Sequence, residues 1–412
     1  MNKKIKVLFI SDDIRLNTGV GIQARKLLTG LAKTGRYEVI NAGCALNHRD
    51  LNPVKYEDVL IYPIRSSRGQ GDKNIIRFLI SREKPDIIVP FGDPRFFFYI
   101  FEMDDEIREK SKIAFYHTWD NEPFPKYNLP YYQACDYLIF ISKFSHDLIS
   151  PKVNIPSYMI QHGYDEEEFY PLEKEEIQKE REYLRSLTPL PKLDFVIFWN
   201  NRNISRKRLG DVLIIFKEFQ KKYPNSILLV NTDPIDFEGI DIMKFQKDLE
   251  NDNLPFVFNF TKIDSKDLNK FYNIADVTLN IAHSEGFGLC VGESLLAETP
   301  VIATRTGGMT EQLEDTVSNM QFGKLLLPDA RYLYGVPGAS YIYQDFVSQN
   351  QVLETLEEVY KNKNQYRELG KKGRQFIIGN LSIEKTIQKW DKTLLEINNK
   401  LSEFQRIKTY VA

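Results

Sequence analysis

Short apolar segments, rich in β-branched and aromatic residues, recur along this chain and alternate with segments of helical periodicity. They cover residues 6–10, 37–41, 86–91, 112–116 and 137–141 in the first half, and 194–199, 226–231, 256–260, 277–281 and 300–304 in the second. Such alternation is typical of βαβ units on a largely parallel sheet. The sequence therefore predicts an α/β fold with two Rossmann-like, doubly wound domains.

The predicted boundary between the domains follows a charged stretch over residues 165–185, where Pro189 and Pro191 interrupt the helical pattern. We therefore predict an N-terminal domain over residues 1–188 and a second domain over residues 189–380.

Residues 381–412 are predicted to contain a C-terminal helix, from about residue 382 to about residue 403. Apolar side chains recur there at the spacing of one helix face: Ile383, Ile387, Trp390, Leu394 and Ile397. A helix with such a face must pack on another element.

Composition sets the broad class of protein. With 412 residues, of which 42% are hydrophobic and 27% charged, the chain is an ordinary globular protein that is too long for one core. Its net charge of -2 gives no general attraction to a polyanion, so we expect no nucleic-acid partner. Cys44, Cys135 and Cys290 lie far apart, which disfavours a disulfide framework or a zinc site and favours a reducing cytoplasm.

No apolar run approaches the length of a membrane span. The start resembles a signal peptide in charge, but Ser11-Asp12-Asp13 cuts its apolar part short, so we predict a buried first strand instead. We expect a cytoplasmic protein. Weak peripheral contact with the inner face of a membrane, through the basic residues 371–374, is the alternative to an ordinary solvated surface.

Gly19-Val20-Gly21 follows the first predicted strand and precedes a helix predicted over about residues 22–33. Glycines let backbone N–H groups approach a ligand, and the N-terminus of a helix favours an anion such as phosphate. A tight turn without a ligand is the alternative. The missing third glycine argues against an NAD fingerprint.

A run of cations follows the first strand of the second half: Arg202, Arg206, Lys207 and Arg208. Cations at the end of a strand can compensate a diphosphate, and we select Arg202 and Lys207 for that role. The alternative is a solvated charge run.

Two further strand ends carry polar and glycine residues. Glu285 is predicted to lie at the end of the strand that begins with the apolar run 277–281. Glu293 is predicted to lie in the first turn of the helix that follows. Carboxylates repel phosphate but suit the hydroxyl groups of a ribose or a sugar. Gly307-Gly308, after the next strand, opens another site for an anion. The alternatives are a helix-stabilising glutamate and plain turns.

Together these segments resemble a family, the retaining glycosyltransferases of family 4 (glycosyl transferases group 1). The resemblance rests first on Glu285 and Glu293 within E-G-F-G-L-C-V-G-E. It also includes the glycine turn, the spacing from Arg202 to Lys207, and these further segments: Gln161-His162-Gly163-Tyr164-Asp165 with Phe169, and Gly307-Gly308 with Glu311. The ordered set spans most of the chain.

The resemblance implies the GT-B fold, in which two Rossmann-like domains face each other across a cleft and a C-terminal helix crosses back onto the first. It implies a nucleotide-diphospho-sugar donor, a UDP-sugar first and a GDP-sugar next, held mainly by the second domain. The hydroxyl acceptor would bind to the first domain.

By analogy, Glu293 would hold the ribose hydroxyls and Glu285 the hydroxyls of the donor sugar. Arg202 and Lys207 would bind the diphosphate. The remaining donor-binding positions implied are Gly19, Val20, Gly21, Gly286, Phe287, Gly288, Leu289, Gly307 and Gly308.

His117 follows a predicted strand and resembles the active-site histidine of the family, near the donor sugar, although a lone histidine is often structural. Asp120 and Glu122, in the loop after it, could line the acceptor pocket or simply face water.

Paired carboxylates also suit the double displacement of a retaining hydrolase. We favour the same-face attack that the resemblance implies, because Glu293 is assigned to the ribose; the departing phosphate then accepts the proton of the acceptor. We expect no metal and no separate cofactor, since Asp12-Asp13 and Asp104-Asp105 lack the D-x-D spacing.

The resulting prediction is a retaining, metal-independent hexosyltransferase acting on a glycan, a glycolipid or another cell-surface macromolecule. A nucleotide-sugar epimerase or a phosphorylase on the same fold is one alternative. A non-catalytic protein that binds nucleotide sugars is another.

Overall fold

The computed structural model describes residues 3–46, 49–65, 71–248 and 254–400. These residues form two α/β units with mainly parallel sheets, which confirms the predicted fold class. The first unit comprises the described residues of Met1–Gly163, Tyr334–Ile342 and Ile383–Ala412, and the second those of Tyr164–Leu333 and Tyr343–Ser382.

The first unit is built on an eight-stranded sheet. Its strands are β1 (Ile5–Asp12), β2 (Tyr37–Cys44), β3 (Val54–Tyr56), β4 (Val59–Pro63), β5 (Ile87–Gly92), β6 (Lys112–His117), β7 (Tyr137–Phe140) and β8 (Ser157–Met159). Their order is β3-β4-β2-β1-β5-β6-β7-β8, with β3 antiparallel to β4 and the other neighbours parallel. The helices among them are α1 (Gly19–Lys33), α2 (Lys73–Glu83), α3 (Phe98–Phe101), α4 (Asp104–Arg108), α5 (Leu129–Gln133) and α6 (Lys143–Ile149).

The second unit is built on a six-stranded parallel sheet. Its strands are β9 (Phe195–Asn200), β10 (Ser226–Asn231), β11 (Phe256–Asn259), β12 (Val277–Asn280), β13 (Val301–Thr304) and β16 (Lys324–Leu326), with β14 (Glu314–Asp315) and β15 (Met320–Gln321) paired separately. The helices are α7 (Lys174–Ser186), α8 (Leu209–Lys222), α9 (Ile242–Asp248), α10 (Ser265–Ile274), α11 (Leu289–Leu296), α12 (Gly307–Leu313), α13 (Gln349–Lys361) and α14 (Lys363–Leu381).

The chain order of the second sheet reverses at β9. The strands lie in the order β11-β10-β9-β12-β13-β16, so β9 pairs with β10 on one side and with β12 on the other. In open α/β sheets, ligands bind beyond the carboxyl ends of the strands at such a reversal. The loops that follow β9 and β12 are therefore the expected ligand-binding loops of this unit.

Residues 164–188, which the sequence assigns to the first domain, lie in the second unit. Hydrogen bonds and an ion pair hold this segment there: Leu172 N donates to Asn273 Oδ1 (2.8 Å), and Arg181 binds Asp276 (3.0 Å). The unit boundary thus follows Gly163, and the prolines that suggested a later boundary only mark the end of α7.

Strands β17 (Ala330–Val336) and β18 (Ala339–Phe346) form a two-stranded sheet that the apolar pattern did not predict. Ala339 is buried in the core of the first unit, and Tyr127 Oη donates to Tyr341 O (3.0 Å). Residues Tyr334–Ile342 therefore belong to the first unit although they lie late in the chain, and the flanking residues of the two strands belong to the second.

The last described helix, α15 (Ile383–Asn399), packs within the first unit. Its Trp390 is fully buried, with ring centroids 5.7 Å from Phe9 and 4.9 Å from Tyr116. At the end of α15, Lys112 Nζ donates to the carbonyls of residues 397 and 398 (2.7 and 2.9 Å), which satisfies acceptors left open by the helix. Residues beyond 400 in the predicted helix lie outside the described residues. Within the described part of the chain, no helix has both the length and the apolar character needed to cross a membrane.

We predict that Trp390→Ala destabilises the first unit by about 3–5 kcal/mol, because it removes a large ring from a packed core. Lys389→Ala, at an exposed position of the same helix, serves as the control and should change stability by no more than about 0.5 kcal/mol. Urea titration measures both effects, and similar values for the two variants would contradict the packing described here.

His162 makes the stability of the first unit sensitive to acid. It is buried, with Nδ1 3.0 Å from Tyr116 Oη, and burial lowers its pKa from 6.5 to about 3. Between these two pH values the unfolded chain binds a proton that the folded chain does not, so stability falls as the pH drops below 6.5.

From pH 7.5 to pH 5.0 this one group should lower the free energy of unfolding by about 2 kcal/mol. We therefore expect His162→Gln to lose less stability than the wild type over that interval, as measured by urea titrations at both pH values. Equal losses in the two proteins would show that His162 is not responsible.

Candidate functional site

An ion pair between Lys207 and Glu285 joins the two loops at the reversal of the second sheet. Lys207 Nζ donates to Glu285 Oε2, and the two side chains are only 8% and 12% exposed. Lys207 ends a short 3-10 turn after β9, and Glu285 lies in the loop after β12. The structure thus brings together two of the predicted site residues at the expected place in the fold.

Arg206 is a second cation at this carboxylate, and the sequence analysis did not select it. Its Nη1 lies 3.7 Å from Glu285 Oε2 and donates to Ser284 O (2.6 Å). The only signal for it in the sequence was its place in the cation run. The carboxylate therefore faces two cations that are also suited to phosphate oxygens.

Arg202, predicted as a partner of Lys207, is bound to a different loop. Its Nε donates to Asp236 Oδ2 (2.6 Å), its Nη2 lies 3.5 Å from Glu238, and its side chain is 53% exposed. The cation run alone could not reveal these acidic partners, because they lie in the loop after β10.

Two predicted glycine loops pack against each other beside Glu285. Gly308 N donates to Glu285 O (3.1 Å), and a Cβ at Gly308 would lie 2.5 Å from Gly286 O. Gly307 adopts a φ of 50°, and a Cβ there would clash with Glu285 O. Backbone contact this close explains why glycines occupy these positions.

The rest of this loop leads into α11. Phe287 is buried and stacks on Tyr164 with centroids 5.9 Å apart. Gly288 has a φ of 87° and caps the helix, which begins at Leu289. Two details differ from the prediction: β12 already ends at Asn280, so Glu285 lies in the loop rather than at the strand end, and Glu293 falls in the second helical turn.

Glu293 is held by a buried tyrosine. Tyr272 Oη donates to Glu293 Oε2 (2.7 Å) and accepts from Asn200 Nδ2 (2.8 Å). Burial, and then the negative charge of Glu293, raise the pKa of Tyr272 well above its ordinary value. The phenol therefore stays protonated and keeps donating to the carboxylate at neutral pH.

Gly19, Val20 and Gly21 form the first turn of α1 rather than a turn before it. Gly21 N donates to Thr18 Oγ1 (3.0 Å), and a Cβ at Gly21 would lie 2.7 Å from Leu16 O. One amide of the predicted anion-binding turn is thus already used as a helix cap.

The other predicted residues of the first unit lie at and after the end of β6. His117 is buried with Nε2 2.9 Å from Tyr132 Oη, and burial lowers its pKa to about 4, so its imidazole is neutral at pH 7. Asp120 and Glu122 are partly exposed in the loop before α5. Their predicted roles stay predictions.

Comparison with solved structures defines the class of fold. Sucrose-phosphate synthase from Thermosynechococcus elongatus superposes with a TM-score of 0.74 at 16% identity, over 96% of this chain and 99% of that one. Anabaena HepE, solved with UDP and glucose, gives a TM-score of 0.68 at 13% identity, over 95% and 100%. The fold is the GT-B fold of glycosyltransferases, as predicted.

Residues 181–326 match the family model for glycosyl transferases group 1. This match lies within the second unit and includes Glu285 and Glu293, on which the resemblance to glycosyl transferases group 1 rests.

Curated relatives match over limited segments. Alpha-monoglucosyldiacylglycerol synthase of Acholeplasma laidlawii is 32% identical over 135 residues, which is 32% of this chain and 32% of that protein. Trehalose synthase of Thermococcus litoralis is 25% identical over 193 residues, which is 45% of this chain and 40% of the relative. The matches thus span less than half the length of these relatives.

We predict that Lys207→Met destabilises the second unit by about 3 kcal/mol, because it leaves the largely buried carboxylate of Glu285 without its main cation. The double variant Lys207→Met/Glu285→Gln removes both charges and should regain most of that stability. Thermal unfolding of the wild type and the variants measures this, and a double variant no more stable than the single one would contradict the assigned ion pair.

Proposed function

We propose that this protein is a retaining glycosyltransferase that moves a sugar from a nucleotide-diphospho-sugar to a hydroxyl acceptor. The observation that carries the proposal is the largely buried pair of Lys207 and Glu285 at the sheet reversal, in the segment that matches the family model for glycosyl transferases group 1. A site with cations for phosphate and carboxylates for hydroxyl groups matches the mixed chemistry of such a donor.

Each half of the donor has proposed partners. Lys207, with Arg206 beside it, binds the diphosphate, and Glu285 binds hydroxyl groups of the donor sugar. Glu293 accepts hydrogen bonds from the ribose. Arg202 binds the diphosphate only if its guanidinium releases Asp236 and binds a phosphate oxygen instead. The free-energy cost of that change is small, because the side chain of Arg202 is largely exposed and its ion pair with Asp236 is weakened by solvent.

The proposed reaction needs positioning and charge stabilisation more than a covalent partner. The acceptor oxygen bonds to the anomeric carbon on the face from which the diphosphate leaves, and the bond from that carbon to the diphosphate oxygen breaks. The departing diphosphate accepts the proton of the acceptor hydroxyl. Lys207 and the amides of the glycine loops stabilise its negative charge, so we propose that no metal is required.

We favour a UDP-sugar as the donor and a GDP-sugar next. Anabaena HepE, which shares the fold, was solved with UDP and glucose. For the acceptor we propose a glycan, a glycolipid or another macromolecule, because Alpha-monoglucosyldiacylglycerol synthase is among the relatives of this chain.

We predict that one nucleotide sugar raises the melting temperature of the wild type in EDTA, when UDP-glucose, GDP-mannose, ADP-glucose, dTDP-glucose and NAD are compared. Ligand at about a hundred times its Kd adds roughly 2.7 kcal/mol of stability, which a thermal shift detects. Glu293→Ala should abolish this shift because it removes the proposed acceptor for the ribose.

Glu354→Ala, which removes an exposed carboxylate from α13 of the same unit, is the matched control and should respond like the wild type. Stabilisation by NAD alone would overturn the proposal. A shift that appears only when magnesium replaces EDTA would overturn the metal independence but keep the donor assignment.

A further inference from the structure

Three neighbouring strands of the second sheet end in asparagine at the same level. Asn200, Asn231 and Asn259 are the last residues of β9, β10 and β11. In the parallel register Asn231 lies beside Asn200 on one side and beside Asn259 on the other. Their side chains thus form a row along the carboxyl edge of the sheet, which we call the asparagine ladder.

Hydrogen bonds join the asparagine ladder into a continuous chain. Thr261 Oγ1 donates to Asn259 Oδ1 (2.7 Å), and Asn259 Nδ2 donates to Asn231 Oδ1 (2.6 Å). Asn231 Nδ2 then donates to Asn200 Oδ1 (2.8 Å). Asn200 continues the chain to the oxygen of Tyr272 (2.8 Å).

The chain ends on Glu293, and this end fixes its direction. An ionised carboxylate can only accept, so Tyr272 must donate its single proton to Glu293 (2.7 Å). The phenol oxygen can then only accept from Asn200, whose carbonyl must in turn accept from Asn231. The bonds that link Asn259 to Asn231, Asn231 to Asn200 and Asn200 to Tyr272 are therefore all donated in the direction of the carboxylate.

A one-way chain of this kind has a physical effect at its end. Aligned hydrogen bonds polarise one another, which strengthens the last bond to the charged group. Tyr272 is fully buried, whereas the asparagines are partly exposed. The phenol oxygen of Tyr272 is hydrogen-bonded to Asn200 of the ladder on one side and to Glu293 on the other. A carboxylate has about four lone-pair positions, so this bond orients Glu293 and still allows it to accept from a ligand.

We propose that Asn200, Asn231 and Asn259 are positioning residues, which act through Tyr272 to orient Glu293 for the vicinal hydroxyl groups of a ribose. The inference rests on the proposed function, because it takes the ligand of Glu293 to be a nucleotide. None of the three asparagines needs to touch that ligand.

The test is calorimetric titration with UDP and GDP, each compared with its 2′,3′-dideoxy analogue, which lacks the hydroxyl groups. We expect Tyr272→Phe to weaken binding of the preferred nucleotide about tenfold, since a hydrogen bond to a charged group is lost. Asn231→Leu, two bonds further away, should weaken it about threefold. Both variants should bind the dideoxy analogue as the wild type does.

Asn225→Leu is the matched control, because Asn225 precedes the same strand at its other end and donates to Asp194 (2.9 Å). It should leave binding of both nucleotides unchanged. In a Glu293→Ala background, Asn231→Leu should have no further effect, as expected if the ladder acts through Glu293. Asn259→Ala replaces Asn231→Leu if the latter does not fold.

The outcomes separate the two proposals. A wild type that binds neither nucleotide, or binds each as tightly as its dideoxy analogue, overturns the proposed role of Glu293 and the ladder with it. A wild type that prefers the ribonucleotide while Tyr272→Phe and Asn231→Leu keep that preference overturns the ladder alone. Equal weakening of a nucleotide and its dideoxy analogue also overturns it, because a general structural defect explains that result.

Discussion

The parallel pairing of β9 with β12 brings the loops that follow these two strands close together, and with them the polar side chains that the loops carry. The loops that leave these strands turn to opposite faces of the sheet, so the space beyond the strand ends stays open for polar groups. Lys207 comes from one loop and Glu285 from the other. Their ion pair depends on this reversal of the chain, whereas the asparagine row depends on the parallel pairing of β9, β10 and β11.

The two glutamates of the site have different electrostatic surroundings. Glu285 is neutralised by the cations Lys207 and Arg206, whereas Glu293 is held by a neutral phenol. A phosphate arriving at the site would compete with Glu285 for the same cations. This difference gives a physical reason for the proposal that Glu285 binds at the reacting end of a donor and Glu293 at its nucleoside.

The sequence was informative where local pattern determines structure. Buried runs such as 226–231 matched their strands closely, and strand ends marked Lys207, Glu285 and the glycine pair as neighbours in space. It was uninformative where a tertiary contact determines the partner of a side chain or the unit to which a segment belongs. The partner of Arg202 lies in the loop after another strand, and no periodicity predicts that Asn200, Asn231 and Asn259 share one register. Residues 164–188 lie in the second unit for the same reason, since tertiary contacts such as that of Arg181 with Asp276, and not the prolines, determine to which unit the segment belongs.

The return of the chain to the first unit has a consequence for how the protein is made. The core around Phe9 and Tyr116 lacks Trp390 until α15 has been translated, after every element of the second unit, and the carbonyls that Lys112 caps belong to the same late helix. The second unit, by contrast, is complete in sequence once α14 has emerged. The order of synthesis and the order of completion are therefore reversed. The synthesis of the first unit begins before that of the second unit and is completed after it.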